Sequence, residues 1–421
     1  VMRTYSEWLG SDNAWSARSQ IPEEGTTLGI ILSSDKTSIS SLTGDRSAHP
    51  LLISLANIDP DFRSKASNNA FLLLALLPIP KFVETDKKVR SLLDKRLMHQ
   101  NLDIVLHPLK IAAQIGIMLS DPVGAIRCFY TPCAAYIVDT PEAADISCVG
   151  GKTSPYTVAT YKQFGDNFRH NPRTAAHTLN QLNQLRRNVD PNDLPAYSKA
   201  SKKLRLNGVH EPFWRDWALS DPSNFLMPEP LHHWHKMFWD HDVKWVIAFL
   251  GETETDFRFS ILPIRTAFKH FNGGISALKQ VTGREQRDIQ RFILPILAGA
   301  GDPRFTVVVR CLLEFRYLAQ APQLHETNLS RLKASLNLFH RHKHIVLDPP
   351  VAGRLIYETT VATGHVGYIK RAGHSHCAIY QQSGGQLQAK EFPARSGCDR
   401  FEKQGGCPPV RDRKSTSGCR C

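Results

Sequence analysis

Three acidic residues stand where metal-assisted phosphoryl transfer would want them. Asp35 follows the apolar run Thr26 to Ser34 (TTLGIILSS), Asp121 follows Ile115 to Ser120 (IGIMLS), and Glu229 opens the stretch Pro228 to Leu250 (PEPLHHWHKMFWDHDVKWVIAFL). Carboxylates are hard oxygen donors suited to Mg²⁺ (or Mn²⁺). Two such ions about 3.5 to 4 Å apart activate a nucleophile and stabilise the leaving oxygen of an in-line displacement. An aspartate after a strand is also an ordinary turn or cap residue, so the spacing leaves both readings open.

Other chemistries find less support. The histidines of LHHWHKMFWDHD invite zinc, but the helical H-E-x-x-H motif needs a spacing of four with an intervening Glu, which is absent. Partial burial, hydrogen bonds to Asp240 or Asp242, or phosphate binding account for them better. Cys148 to Ser154 (CVGGKTS) has the look of a phosphate loop, yet Ile146 stands where G-x4-G-K-[ST] requires glycine. No G-x-S-x-G is present, and no Ser or Cys stands out with His and Asp partners. Of nine cysteines, Cys128, Cys133, Cys148 and Cys311 are scattered through the body and the rest crowd the C-terminus. None forms the C-x2-C pairs of a zinc site, and free buried thiols are the expectation.

The elements that must position the acids follow from hydrophobic pattern. Apolar runs at 26–34, 48–58 and 70–77 alternate with helical periodicity over 85–118, which argues for an α/β fold with helices against a sheet. The run Ala125 to Val138 reads as helical. Residues 152–225 turn polar, helical and proline-punctuated, as a helical insertion would. A helix is expected over 228–250. Another opens at Thr282, where Thr-Gly-Arg-Glu fits a capping box and aligns Arg284, Arg287 and Arg291 on one side. The helical pattern of 312–338 breaks at Pro322.

The balance of 52 Lys and Arg against 39 Asp and Glu, +13 in all, favours a polyanionic partner. Basic and aromatic residues mix at Tyr161, Lys162, Phe168, Arg169 and Arg173, as base stacking plus phosphate neutralisation would use them; a solvated helical face would look the same. The longest apolar run, 70–80, is too short to span a bilayer and ends in prolines. The N-terminus lacks a secretory layout and starts one residue before a Met, which suggests an intracellular chain with an incomplete start. After Pro350 the chain holds ten of its 26 glycines and few large apolar residues, so a disordered tail is expected.

Several long motifs occur in order: SDNAWSARSQIPEEGTTLGIILSSDKTSISSLTGDRSAHPLLISLANI, NNAFLLLALLPIPKF, LSDPVGAIRCFYTPCAAYIVDTPEA, KTSPYTVATYKQFGDNFRHNPRTAAHTL, LRLNGVHEPFWRDW, PEPLHHWHKMFWDHDVKW and QVTGREQRDIQR. Together they resemble the Plavaka transposases, a group of fungal DNA transposons related to the CACTA superfamily, over roughly residues 5–345. The resemblance implies an RNase H-like mixed sheet with flanking helices, a DDE/D metal site and a helical insertion before the last catalytic helix. Domains are then expected at 1–150 (core with first and second acids), 151–226 (insertion), 227–345 (catalytic helix and helical part) and 346–421 (degenerate or disordered basic tail). Carried over by motif, Asp35 in S-D-K-T matches the first acid, Asp121 in L-S-D-P the second and Glu229 the third, with His232, His235 and Asp240 as alternates for that last ligand.

The implied activity is Mg²⁺-dependent (or Mn²⁺-dependent) cleavage and strand transfer on transposon ends and target DNA in the nucleus. Lys162, Arg169, Arg173, Arg284, Arg287 and Arg291 would hold phosphates. No membrane partner is implied, and a homo-oligomer is an open option. The family's paired-Cys motif between the second and third acids is missing, and the match fades after about His344. An inactive relic that only binds DNA is therefore the rival reading.

Overall fold

The computed structural model describes residues 4–39, 47–227 and 231–347. The expected disordered tail lies outside the described residues from position 348 on, as does Glu229.

Strands β1 (Thr26–Thr27) and β2 (Ile30–Ser34) follow one another, and β3 (Pro50–Leu55) and β4 (Leu72–Leu76) complete a meander. Helix α1 (Lys87–Ile115) leads to a hairpin of β5 (Ile117–Ser120) and β6 (Ile126–Tyr130), and β6 passes almost directly into β7 (Cys133–Ile137). One sheet has the order β7-β2-β3-β4, with β2, β3 and β4 antiparallel and β7 parallel to β2. The other has the order β1-β6-β5, with β6 parallel to β1. Leu28 N–H donates to Tyr130 O at 2.8 Å and Ile30 N–H to Pro132 O at 2.8 Å, so β1–β2 and β6–β7 run on as one parallel ladder. The fold is thus α/β.

The run 125–138, expected to be helical, forms β6 and β7 instead. Ile126, Phe129, Tyr130, Tyr136 and Ile137 supply the β-branched and aromatic bulk that a pleated surface favours, and Pro132, which has no N–H to give a ladder, falls at the break between the strands.

On one side, Leu102 and Leu106 of α1 meet Ile30, Leu32, Leu51 and Tyr136 of the sheet. Phe213, Trp214 and Trp217 close the same cluster. Burying each such side chain contributes roughly 1.5–3 kcal/mol. Helix α2 (Thr140–Ile146) follows β7, capped by Asp139. Between residues 151 and 226 the chain carries helices α3 (Ala175–Asn188) and α4 (Leu194–Lys203), whereas 151–174 is mostly turns.

The expected helix over 228–250 is π-helical across Leu231–Lys236 and Phe238–Val243 and regular only in α5 (Lys244–Leu250). Wide turns of this kind are rare and gather at functional sites. After α6 (Glu252–Ser260), helix α7 (Gly283–Ile296) opens on the predicted Thr282–Glu285 capping box. Helices α8 (Pro303–Ala319) and α9 (Glu326–His342) flank the Pro322 break. These helices share a second core, which includes Trp234, Phe238, Ile289, Phe305, Phe315 and Phe339. Inside it Asp242 and Arg316, both fully buried, pair at 2.7 Å. The guanidinium lies 4.6 Å over the Phe238 ring. No described helix is long and apolar enough to cross a membrane.

Candidate active site

The polar groups of the sheet collect at the carboxyl ends of β2 and β7. Ser33 pairs in register with Ile137. Two residues further on, the adjacent strands deliver Asp35 and Asp139 at matching positions. Asp35 is exposed, and its carboxylate has no hydrogen-bond partner among the described residues. Asp139 is half-buried, and its Oδ1 accepts the Glu142 N–H at 2.8 Å, capping α2. The Thr-Pro that follows Asp139 suits a helix start, because a proline in the first turn gives up no needed N–H.

Behind the two aspartates lies a buried relay. The Ser34 hydroxyl donates to the Glu142 carboxylate, and its Oγ lies 3.1 Å from the Tyr136 hydroxyl. His49 Nε2 stands 3.3 Å from Glu142 Oε1. Burial pushes the Tyr136 phenol well above its ordinary pKa, so it stays protonated. On the outer side of α2, His99 Nε2 meets Asp145 O at 3.0 Å while its Nδ1 accepts the Phe213 N–H at 3.2 Å. Burial lowers the His99 pKa to about 4, which keeps the ring neutral.

The structure does not bring Asp121 to this place. Asp121 closes the β5–β6 hairpin: Oδ1 accepts from Val123 N at 3.0 Å and Ala125 N at 2.8 Å, and Oδ2 accepts from Arg127 Nε at 2.7 Å. The Arg127 bond holds its carboxyl below the usual range. The hairpin precedes β6, at the amino end of the parallel ladder, whereas Asp35 and Asp139 lie beyond its carboxyl end. At ~3.3 Å per residue the separation approaches roughly 40 Å. Asp121 is here the turn residue that its type also allowed. Asp139, at the end of the second parallel strand, was missed because β7 read as helix; the signal in the sequence was an acid after an apolar run and before Thr-Pro.

For the third position, Glu229 lies outside the described residues. Leu226 bridges Tyr136 of β7 in parallel. His232 falls in the π-helical turn, with its side chain outside the described set. His235 is buried, and Asp240 pairs with Lys236 at 2.7 Å. Among the described residues no three His, Cys, Asp or Glu side chains meet at metal-binding spacing. As a donor set, Asp35, Asp139 and Glu229 are all hard carboxylates, which fits Mg²⁺.

The basic residues divide. Lys162 and Arg169 are exposed. Arg173 is buried, donates from Nε to Ser154 O at 3.0 Å, and burial lowers its pKa to about 10. It braces the 153–173 loop and is not open to a ligand. Arg284 donates to Ala267 O at 3.2 Å. Arg291 pairs with Asp288 at 3.0 Å and lies 4.8 Å over Phe268; Arg287 between them is half-buried.

Compared with known proteins, residues 2–246 match the family model described as Plavaka transposase. No curated protein matches the chain. The matched span takes in the whole sheet, Asp35, Asp139 and the π-helical turns.

Proposed function

Because the chain belongs to the Plavaka transposase family, we propose that it is a DDE/D-type transposase core that cleaves a DNA strand and transfers the freed 3′ end, working in the nucleus on transposon ends and target DNA. The strand order β7-β2-β3-β4, with β7 alone parallel to its neighbour, supports the RNase H-like reading, with 151–226 as an insertion between the sheet and the third acid.

The observation that supports the proposal is the parallel register of β2 and β7, paired as far as Ser33 and Ile137, since Asp35 and Asp139 each follow two residues beyond that pair. These two, with Glu229, are the residues that would hold Mg²⁺ or Mn²⁺. Bound there, the ions supply charge for the attacking and leaving oxygens of the phosphodiester. The chain's own residues prepare the place. The Asp139 cap to the Glu142 N–H fixes one carboxylate oxygen against α2 and leaves the other free to ligate. Ser34 and His49 anchor Glu142, so the first turn of α2 cannot drift from β2. Lys162, Arg169, Arg284, Arg287 and Arg291 supply the cationic surface for the backbone.

Purified protein with Mg²⁺ and a duplex carrying the transposon ends should nick or join it, and Asp35→Asn or Asp139→Asn should abolish this. Cleavage that survives both changes overturns the mechanism. A second reading, a relic that binds DNA without cutting it, draws on the absence of C-x2-C pairs between residues 121 and 229. Salt-dependent DNA affinity without metal-dependent nicking would favour it.

A further inference from the structure

At the amino end of the ladder, apolar surface stays exposed among the described residues. Helix α1 buries Leu102, Leu106 and Ala113 on one side, and on another shows Ile111 and Ile115, one turn apart, to solvent, Ile115 at 72% exposure. Gly116, at φ +79°, then swings the chain into β5. A Cβ at that position would stand 2.3 Å from Cys128 Sγ, so only glycine allows the helix to abut the hairpin. All four residues of β5 are exposed, with Met118 at 61%, and Ile126 across the hairpin is at 72%. Among the described residues β5 is the last strand of its sheet, and one of its backbone edges has no strand beside it.

We propose that the β5–β6 hairpin and the adjoining face of α1 form the surface through which two copies of this chain associate, β5 pairing antiparallel with β5 of the second copy. Three observations select that occupant. Met118 and Ile126 on one face of the hairpin, Ile117 and Leu119 on the other, and Ile111 and Ile115 on α1 flank the β5 edge, so edge-to-edge pairing sets exposed apolar side chains of one copy beside those of the other on both faces, toward the roughly 800 Å² each partner gives to a stable interface. The hairpin's charges, Asp121 and Arg127, cancel each other at 2.7 Å. Two chains of +13 repel, and a neutral apolar face is where they can approach most closely; a polyanion gains nothing there. A two-fold pairing also satisfies the open edge with an identical edge and closes on itself. The other sheet edge, β4, exposes Leu72, Leu73, Leu74 and Leu76 as well, and a variant there serves as the control below. This surface stands whether or not the chain cuts DNA.

Sedimentation velocity of the full chain over a micromolar range tests it, with Met118→Lys and Ile126→Lys as variants. Both side chains are mostly exposed, so the changes spare the core, and circular dichroism and melting temperature should match wild type. The expected result is a wild-type dimer and at least a tenfold shift toward monomer in each variant. The proposal falls if wild type is monomeric throughout, if the dimer persists in both variants, or if Leu73→Lys on β4 dissociates it instead. It also falls if the hairpin variants lose affinity for a random-sequence duplex with no change in mass.

Discussion

The two ends of the parallel ladder expose different chemistry. At the carboxyl end, β2 and β7 stop in Ser34, Asp35 and Asp139, and α2 adds Glu142 within hydrogen-bonding reach of Ser34. At the amino end, α1, β5 and β6 leave isoleucines and a methionine in water, and Asp121 is spent on its own turn. Both ends belong to the same two strands, so the difference lies in the connections. A tight strand-to-helix turn needs a capping acid and puts carboxylates at the rim. A hairpin needs an acid only to hold its own backbone. An aspartate at the end of an apolar run is therefore two different residues, depending on which neighbour its strand has.

The sharpest way to break this comparison is to neutralise one acid at each end. Asp35→Asn and Asp139→Asn should each lower metal-dependent strand cleavage by about 10³-fold or more; asparagine still caps α2, so melting should barely change. Asp121→Asn, at the other end, should leave cleavage within about threefold. A gel assay of nicked duplex decides it: an Asp121 variant as inactive as the Asp139 variant would return the second acid to the hairpin.

Next in size is the buried pair behind the π-helical segment that follows Glu229. Arg316→Met leaves the buried Asp242 carboxyl without its partner and should cost about 3–5 kcal/mol in urea unfolding. Asp242→Leu combined with Arg316→Met should recover most of it, because two apolar side chains leave no charge unpaired. A double variant as unstable as the single one would mean that the pair also fixes the wide helical turns.

How much of this was legible in the sequence depends on the element. Strands β2 and β4 sit within continuous apolar runs, and α7 declares itself through Thr282 and Glu285. The 125–138 segment misled because Ala125, Ala134 and Ala135 fit a helix as easily as a strand, and only pairing with β2 decides the matter. That is a long-range fact that periodicity does not carry, and losing it lost Asp139. Asp35 is proposed from its own strand alone, because the apolar run of β2 ends in it. The burial of Arg173 was illegible for the same kind of reason: its acceptor, Ser154 O, lies across a loop closed by isolated bridges such as Thr157 with Pro172.

A pH titration sharpens the comparison at the carboxyl end. His99 holds α2, and so the Asp139 cap, through Asp145 O, and burial keeps its pKa near 4 against about 6.5 when unfolded. The unfolded chain binds more protons between those values, so the stability contributed by neutral His99 is complete above about pH 6.5 and is lost as pH falls toward 4. That loss amounts to on the order of 3 kcal/mol. Denaturant melts at pH 7 and pH 5 should show it, and His99→Gln should flatten the slope. An unchanged slope would place the titration elsewhere.

The smallest expected effect separates the cations. Lys162→Ala and Arg169→Ala, both exposed, should each weaken binding to any duplex about two- to fivefold and reduce the salt dependence of log K by about one. Arg173→Ala should lower the melting temperature instead, because its guanidinium serves Ser154. Met118→Lys, which adds a positive charge at the apolar end, serves as the counter-test in fluorescence anisotropy. If that charge tightened DNA binding as much as Lys162→Ala loosened it, DNA would pass along both ends of the ladder, and the division between a polar working end and an apolar docking end would collapse.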